Sequence, residues 1–213
     1  MIENTVDNNQ VTIIGEIITP FVFSHEVFGE KFYIADVNVK RLSGFHDRIP
    51  VMISERLIDV SQDCTGKFIT VNGQFRSFNR SDGQRHQLIL SVFAREVSFI
   101  DEIPDNVKTN NISINGYICK RPIYRKTPLG REITDLLLAV NRPYGKSDYI
   151  PCVCWGRTAR FASTFEVGDH IRIVGRIQSR EYIKKLTETE SEKRTAYEVS
   201  VDRLEVLDER DQS

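Results

Sequence analysis

The side chains best suited to chemistry in this chain are aromatic rings set among arginines and lysines. In KRPIYRKTPLGR, Lys120, Arg121, Arg125, Lys126 and Arg131 surround Tyr124. Asn141, Arg142, Tyr144 and Lys146 follow, then Tyr149, Trp155 and Arg157. GRIQSREYIKK brings Arg176, Gln178, Arg180, Tyr182, Lys184 and Lys185. A flat ring offers a stacking surface to any base, and cationic groups along the same path neutralise phosphates, so the pattern suits single-stranded nucleic acid. A barrel also needs rings for its core and charges for solubility. Alternation separates the two uses. Tyr149 and Trp155 are six apart and share one strand face, while Ile150, Cys152 and Cys154 face the other way.

Other chemistry finds no matching pattern. His25, His46, His86 and His170 are scattered singly. The sequence shows no carboxylate cluster with catalytic spacing, no group of metal-binding histidines and no glycine-rich phosphate loop. Cys152 and Cys154 form a C-x-C without a second close pair, a poor zinc signature, and read as small hydrophobes on one strand face. Glu188, Glu190 and Glu192 alternate in KKLTETESEKR, which reads as a solvated hairpin tip. The expectation is a binding protein, not an enzyme, with no cofactor and no metal.

Charge supports this when the 213 residues are read by halves. The whole carries a net charge of −1. Residues 1–106 hold 10 basic and 15 acidic residues, whereas 107–213 hold 19 and 15. Between Lys108 and Lys185 there are 15 basic against 6 acidic, an asymmetry that points to a polyanionic partner. No apolar run reaches the roughly 18–20 residues of a membrane-spanning helix. The start, MIENTVDNNQ, has no signal-peptide pattern, and four cysteines suit a reducing compartment. A cytoplasmic protein with no membrane partner is expected.

The elements that must position these side chains come in two copies. Gly15 and Gly116 stand 101 apart, as do Gly29 and Gly130, and Ile49-Pro50-Val51 precedes Ile150-Pro151-Cys152 by the same interval. Gly73 and Gly175 are 102 apart. The joint DEIPDNVK between the copies is short and polar. In the second copy, strands are predicted over 111–121, 131–142, 148–155, 169–182 and 195–207, with a short amphipathic helix in RTARFASTFEVGD. Five strands with a helix between the third and fourth is the pattern of an oligonucleotide/oligosaccharide-binding barrel. The expected fold is all-β, with two tandem five-stranded barrels, each with a short helix between strands 3 and 4. The first should span residues 9–101, the linker 102–108 and the second 109–208.

LAVNR (138–142), DYIPCVCWG (148–156), the alanine-bearing helix, VGD (167–169), GRIQSREY (175–182) and EVSV (198–201) occur in the order seen in the bacterial single-stranded-DNA-binding protein family, which the second copy resembles over residues 109–207. The resemblance implies sequence-independent binding of single-stranded DNA in replication, repair or recombination. It also implies base stacking at the matching positions, Tyr144, Tyr149, Trp155 and Tyr182. That family works with four barrels, so a homodimer is implied, with replication or repair proteins as partners. The chain departs from the family pattern by ending at LDERDQS, without a long Gly/Pro/Gln-rich tail and apolar tip, so recruitment through a tail is not expected.

The first copy departs further. Carried back by the repeat, the stacking positions fall on Ser43, Arg48, Ser54 and Arg80, none aromatic, though Phe45 and Phe78 lie nearby and Arg76, Arg80 and Arg85 could contact phosphates. A weakly binding scaffold, dimer surface or protein-docking face is expected there. The alternative for the whole chain is a primosome-type accessory or protein-interaction adaptor built on the same barrels.

Overall fold

Period-two alternation writes most of this structure. A strand turns successive side chains to opposite faces, so an apolar residue at every second position makes one face a core. In β1 (Asn9–Ile17), Val11, Ile13 and Ile17 are buried. In its repeat partner β7 (Asn110–Ile118), Ile112, Ile114 and Ile118 are buried. The computed structural model describes residues 8–81, 86–185 and 191–207.

The first half continues with β2 (Val22–Val27), β3 (Glu30–Lys40), β4 (His46–Ser54), β5 (Phe68–Ser81) and β6 (His86–Ile100). After β7 come β8 (Ile123–Lys126), β9 (Glu132–Arg142), β10 (Lys146–Trp155), helix α1 (Gly156–Ala162), β11 (His170–Lys185) and β12 (Ser191–Val206). In the first half the strands neighbour one another in the order β3-β4-β6-β5-β1, and β1 pairs again with β3 at Glu16↔Asn38. Five strands therefore close on themselves. The second half does the same in the order β9-β10-β12-β11-β7, with β7 returning to β9 at Tyr117↔Ala139. Each closed set has one parallel neighbour pair, β4 with β6 and β10 with β12. Each encloses buried apolar side chains, among them Ile13, Val37, Ile49 and Phe75 in the first and Ile112, Leu138, Ile150 and Ile177 in the second.

Closure explains one repeated glycine pair. A Cβ on Gly15 would stand 2.5 Å from the Asn38 carbonyl oxygen, and one on Gly116 would stand 2.8 Å from that of Ala139. Both lie where the closing strand crosses over, and only a residue without a side chain lets the backbones approach this closely.

Two expectations need correction. The first half has no helix among the described residues between β4 and β5; residues 55–67 form turns. Asp59 accepts hydrogen bonds from the Ser61 amide (3.1 Å) and hydroxyl (2.6 Å), and Asp63 accepts one from the Thr65 amide at 2.9 Å. Such short polar side chains compete with the helical backbone for its donors. In the second half, α1 does form, because Ala159 and Ala162 present a flat buried face and the Thr134 hydroxyl donates to the Ala159 carbonyl at 2.7 Å. The other correction concerns KRPIYRKTPLGR, where no strand was predicted but β8 pairs with β9 from Ile123↔Asp135 to Lys126↔Glu132. All four residues of β8 are exposed, so no burial alternation marks it.

The two closed sets are joined through β1 and β7, which pair antiparallel from Asn9↔Ile114 to Ile13↔Asn110. The middle pair, Val11↔Ile112, joins residues that are equivalent in the repeat, so a pseudo-two-fold axis passes between them. Asn9 brackets the Phe75 backbone with bonds of 2.7 and 2.9 Å, and Asn110 brackets that of Ile177 with the same two lengths. All twelve strands thereby share one hydrogen-bonded sheet. Substituting Gly116→Val should cost about 1–3 kcal/mol by forcing β7 off β9. Urea denaturation measures this, and an unchanged midpoint would contradict the closure argument.

Candidate nucleic-acid interface

Strand β10 carries the exposed rings. Its alternation buries Asp148, Ile150, Cys152 and Cys154 and turns Tyr149 and Trp155 outward, 42% and 39% exposed. Six residues of strand put these two about 20 Å apart. Opposite Tyr149 in the ladder stands the small Ala139, and opposite Trp155 stands Ile133. Tyr144 is 98% exposed at the tip of the β9–β10 turn, where Arg142 pairs with Lys146. Its φ of 63° is left-handed, a conformation that points the ring out of the turn into solvent.

The expected cations divide into groups. Lys120, Arg121, Lys126, Arg131, Lys146, Arg157 and Arg180 are exposed, and among the described residues none of them pairs with a carboxylate. They are the groups available to phosphates. Arg125 is exposed but bound to Asp135 at 2.8 Å. Asn141 is exposed beside Ser147. Gln178 is buried and donates to Glu198 at 2.7 Å. The side chains of Arg80, Lys184 and Lys185, and all of Arg85, Glu188 and Glu190, lie outside the described residues.

Arg142 and Arg176 stand at the seams between the halves. In one seam the buried Asp148 accepts from the Ser77 amide at 2.7 Å, the Tyr149 amide donates to the Ser77 hydroxyl at 2.7 Å, and Arg142 lies 3.1 Å from Asp148. In the other, buried Asp47 accepts from the Ser179 amide at 2.8 Å, and the Arg48 amide donates to the Ser179 hydroxyl at 3.1 Å. Arg41 binds Asp47 through two bonds and Arg176 stands 3.8 Å away. Burial raises the Asp148 carboxyl above its ordinary range, against the opposing pull of the Ser77 amide, Arg142 and Arg76. The position of Tyr149 is thus fixed by a serine of the first half.

The fourth expected ring is placed apart from the other three. Tyr182 lies on the arm formed where β11 and β12 run on past the closed strands, opposite Arg194 and 5.9 Å from the Arg180 guanidinium. That arm leaves from the Asp47–Ser179 seam, whereas Tyr149 sits at the Asp148–Ser77 seam. Tyr197, the ladder partner of Ser179, is half-buried, and burial followed by Asp36 raises its hydroxyl. Near the β10 rings, the Tyr124 hydroxyl donates to Glu132 at 2.6 Å and Glu132 pairs with Arg160 of α1 at 3.0 Å. The β8–β9 hairpin is tied in this way to the helix that follows Trp155.

In the first half, Ser43 is exposed, Ser54 is buried against Glu30, and Arg48 is bound to Asp36. Rings occur instead at positions the repeat did not mark. His25 stacks on Phe32 with centroids 5.1 Å apart, Phe32 lies 5.7 Å from Phe93, and the Arg76 guanidinium lies 4.0 Å over Phe93. The available signal was Phe93 between the core residues Val92 and Ala94, which alternation turns outward.

Cys152 and Cys154 are both buried, and burial pushes the Cys154 thiol up to about 12, so neither is a thiolate at neutral pH. Among the described residues no group of three or more His, Cys, Asp or Glu side chains is placed to hold a metal ion.

The family model described as "Single-strand binding protein family" matches residues 109–207. Single-stranded DNA-binding protein 2 of Listeria innocua is 35% identical over 80 residues, covering 34% of this chain and 50% of its own length. Single-stranded DNA-binding protein B of Bacillus subtilis is 31% identical over 80 residues, covering 34% of this chain and 71% of that protein. The chain spans about half the length of most curated relatives it matches. Its fold is similar to the crystal structure of a deletion mutant of the single-stranded DNA binding protein from Thermus aquaticus. The TM-score is 0.71 at 21% identity, over 94% of this chain and 95% of that one. This likeness of fold takes in both halves.

Replacing Asp148→Ala would strand Arg142 and the Ser77 amide, at a cost of about 3 kcal/mol. Asp148→Asn should cost less, because its amide oxygen still accepts from Ser77. Guanidinium denaturation of both variants measures the difference, and equal stability of all three proteins would contradict the seam.

Proposed function

This chain belongs to the single-strand binding protein family, and we propose that it binds and protects single-stranded DNA without strong sequence preference, in replication, repair or recombination. The observation that carries this reading is the exposed rings of β10, Tyr149 and Trp155, with Tyr144 in the turn before it, set among exposed basic side chains. The β10 rings leave about two fifths of their surface open to solvent, and that open part offers a base a π-surface worth about 1–3 kcal/mol. Lys120, Arg121, Lys126, Arg131, Lys146 and Arg157 would track the phosphates past those rings.

On this reading each closed five-stranded set is an oligonucleotide-binding barrel, the first over residues 9–101 and the second over 109–208, with 102–108 as linker. The second is the stronger binding surface. Tyr182 and Arg180 then act from an arm reached after the strand has passed the β10 rings. Two barrels per chain lead us to a homodimer as the working assembly, in contact with replication or repair proteins. Binding, not catalysis, is the activity.

Trp155 is the chain's only tryptophan and stands among these rings, so its fluorescence reports binding directly. Titration with a dT oligonucleotide at low salt should quench it. The affinity should fall with salt at about 0.7 logarithmic units per decade for each phosphate neutralised. No quenching, together with no binding by an independent method, overturns the reading. Tyr149→Ala should weaken binding by about 1–3 kcal/mol; an unchanged affinity would remove Tyr149 from the path.

A further inference from the structure

The two seams are built on one backbone plan but carry different side chains. Where the Asp47 seam has Gln178, Ser200 and Asp202, the repeat places Arg76, Phe93 and Arg95 in the Asp148 seam. The parallel pairs show the equivalence: Phe93 stands beside Met52 as Ser200 stands beside Val153. Arg76 lies 4.0 Å over the Phe93 ring and Arg95 lies 5.8 Å from it. Both guanidiniums converge on the Gln74 side-chain oxygen, at 2.7 and 3.3 Å. Among the described residues neither makes an ion pair. Burial first, then the neighbouring charges of Arg95 and Arg142, lowers the Arg76 group to about 10, against a smaller opposing pull from Asp148. In a half whose net charge is −5 from residue 1 to 106, such crowding is a local exception.

Resting on the single-stranded-DNA reading above, we propose that this seam is a phosphate clamp through which the strand passes from Tyr149 onto the first half. There Arg76 and Arg95 hold the backbone, with the half-buried Phe93 ring supporting the Arg76 guanidinium. The chemistry fits the gap: among the described residues neither guanidinium has a carboxylate ion-pair partner, so both present donors to an anion, while Arg142 nearby is paired with Asp148. His25 and the buried Phe32 stack on each other and belong to the packing of β2 on β3, not to the path of the strand.

The test uses two dT oligonucleotides, one of about 8 nucleotides that fits one half and one of about 30 that can cross to the other. Trp155 fluorescence follows the second half in both. In the double variant Arg76→Gln with Arg95→Gln, binding of the long oligonucleotide should lose about 1.4 from its salt slope, one phosphate per arginine. The short one should bind as before. Phe93→Ser, the residue that stands in the other seam, removes the ring beneath Arg76 and should weaken the long oligonucleotide about threefold while sparing the short one. Arg76→Lys with Arg95→Lys should restore the slope, which a purely structural role for the arginines would not require. An unchanged slope and affinity on the long oligonucleotide overturns the inference, as does equal weakening of the short one, which would make these side chains mere supports for β10. Failure of the unaltered protein to bind the short oligonucleotide would instead overturn the reading of function.

Discussion

The antiparallel pairing of β1 with β7 is the contact on which the rest of the molecule depends. Because Val11 lies opposite its own repeat equivalent, Ile112, the pairing is self-complementary in the manner of a two-fold dimer interface, here made within one chain. A shift of one residue in this register would turn Ile13 and Ile112 from core to solvent, so burial of those side chains fixes it. Once fixed, it brings β5 of the first half against β10 of the second and β11 against β4. Both seams follow from that placement, each with a buried aspartate capping a serine amide. Tyr149 points where it does because its own amide is held by Ser77 across the seam.

The seams also show what buried charge does here. Removing Asp47 and Asp148 from water is costly, and the arginines beside them return only part of that cost, so such pairs add little net stability. Their value is specificity: a carboxylate that must find a particular amide permits only one docking of the halves. The same backbone plan then tolerates different side chains around it. At the Asp47 seam Arg41 and Arg176 face Asp47, Lys108 pairs with Asp202 and Gln178 holds Glu198, so cations and carboxylates come in equal number. At the Asp148 seam Arg76, Arg95 and Arg142 outnumber the single carboxylate. The neutrality of the whole chain conceals this local excess.

Much of this was legible in the sequence, for stated reasons. The 101-residue repeat is legible in matched glycines and Ile-Pro pairs, while the strands of the second half and the outward aspect of Tyr149 and Trp155 follow from period two, a local property. The first half's missing helix was hidden because Asp59 and Asp63 act through side-chain bonds that compete with a helix over a stretch the repeat equated with α1. β8 escaped because a strand exposed on both faces has no alternation. Arg142 and Arg176 were read with the other cations, since nothing local marks an arginine whose partner is an aspartate at a seam. The contact of Arg76 with Phe93 was missed because equivalent positions were searched, while Phe93 occupies the place of a serine.

The central claim is that rings presented on β10, in a position set by the seam, are where a single strand of DNA lies. Ultraviolet cross-linking of a dT oligonucleotide, followed by mass spectrometry of the linked peptides, tests this at residue level. Cross-links on Tyr144, Tyr149 and Trp155 are the predicted result. Cross-links confined to Thr12, Asn115 and Tyr117 on β1 and β7, with none on β10, would contradict it.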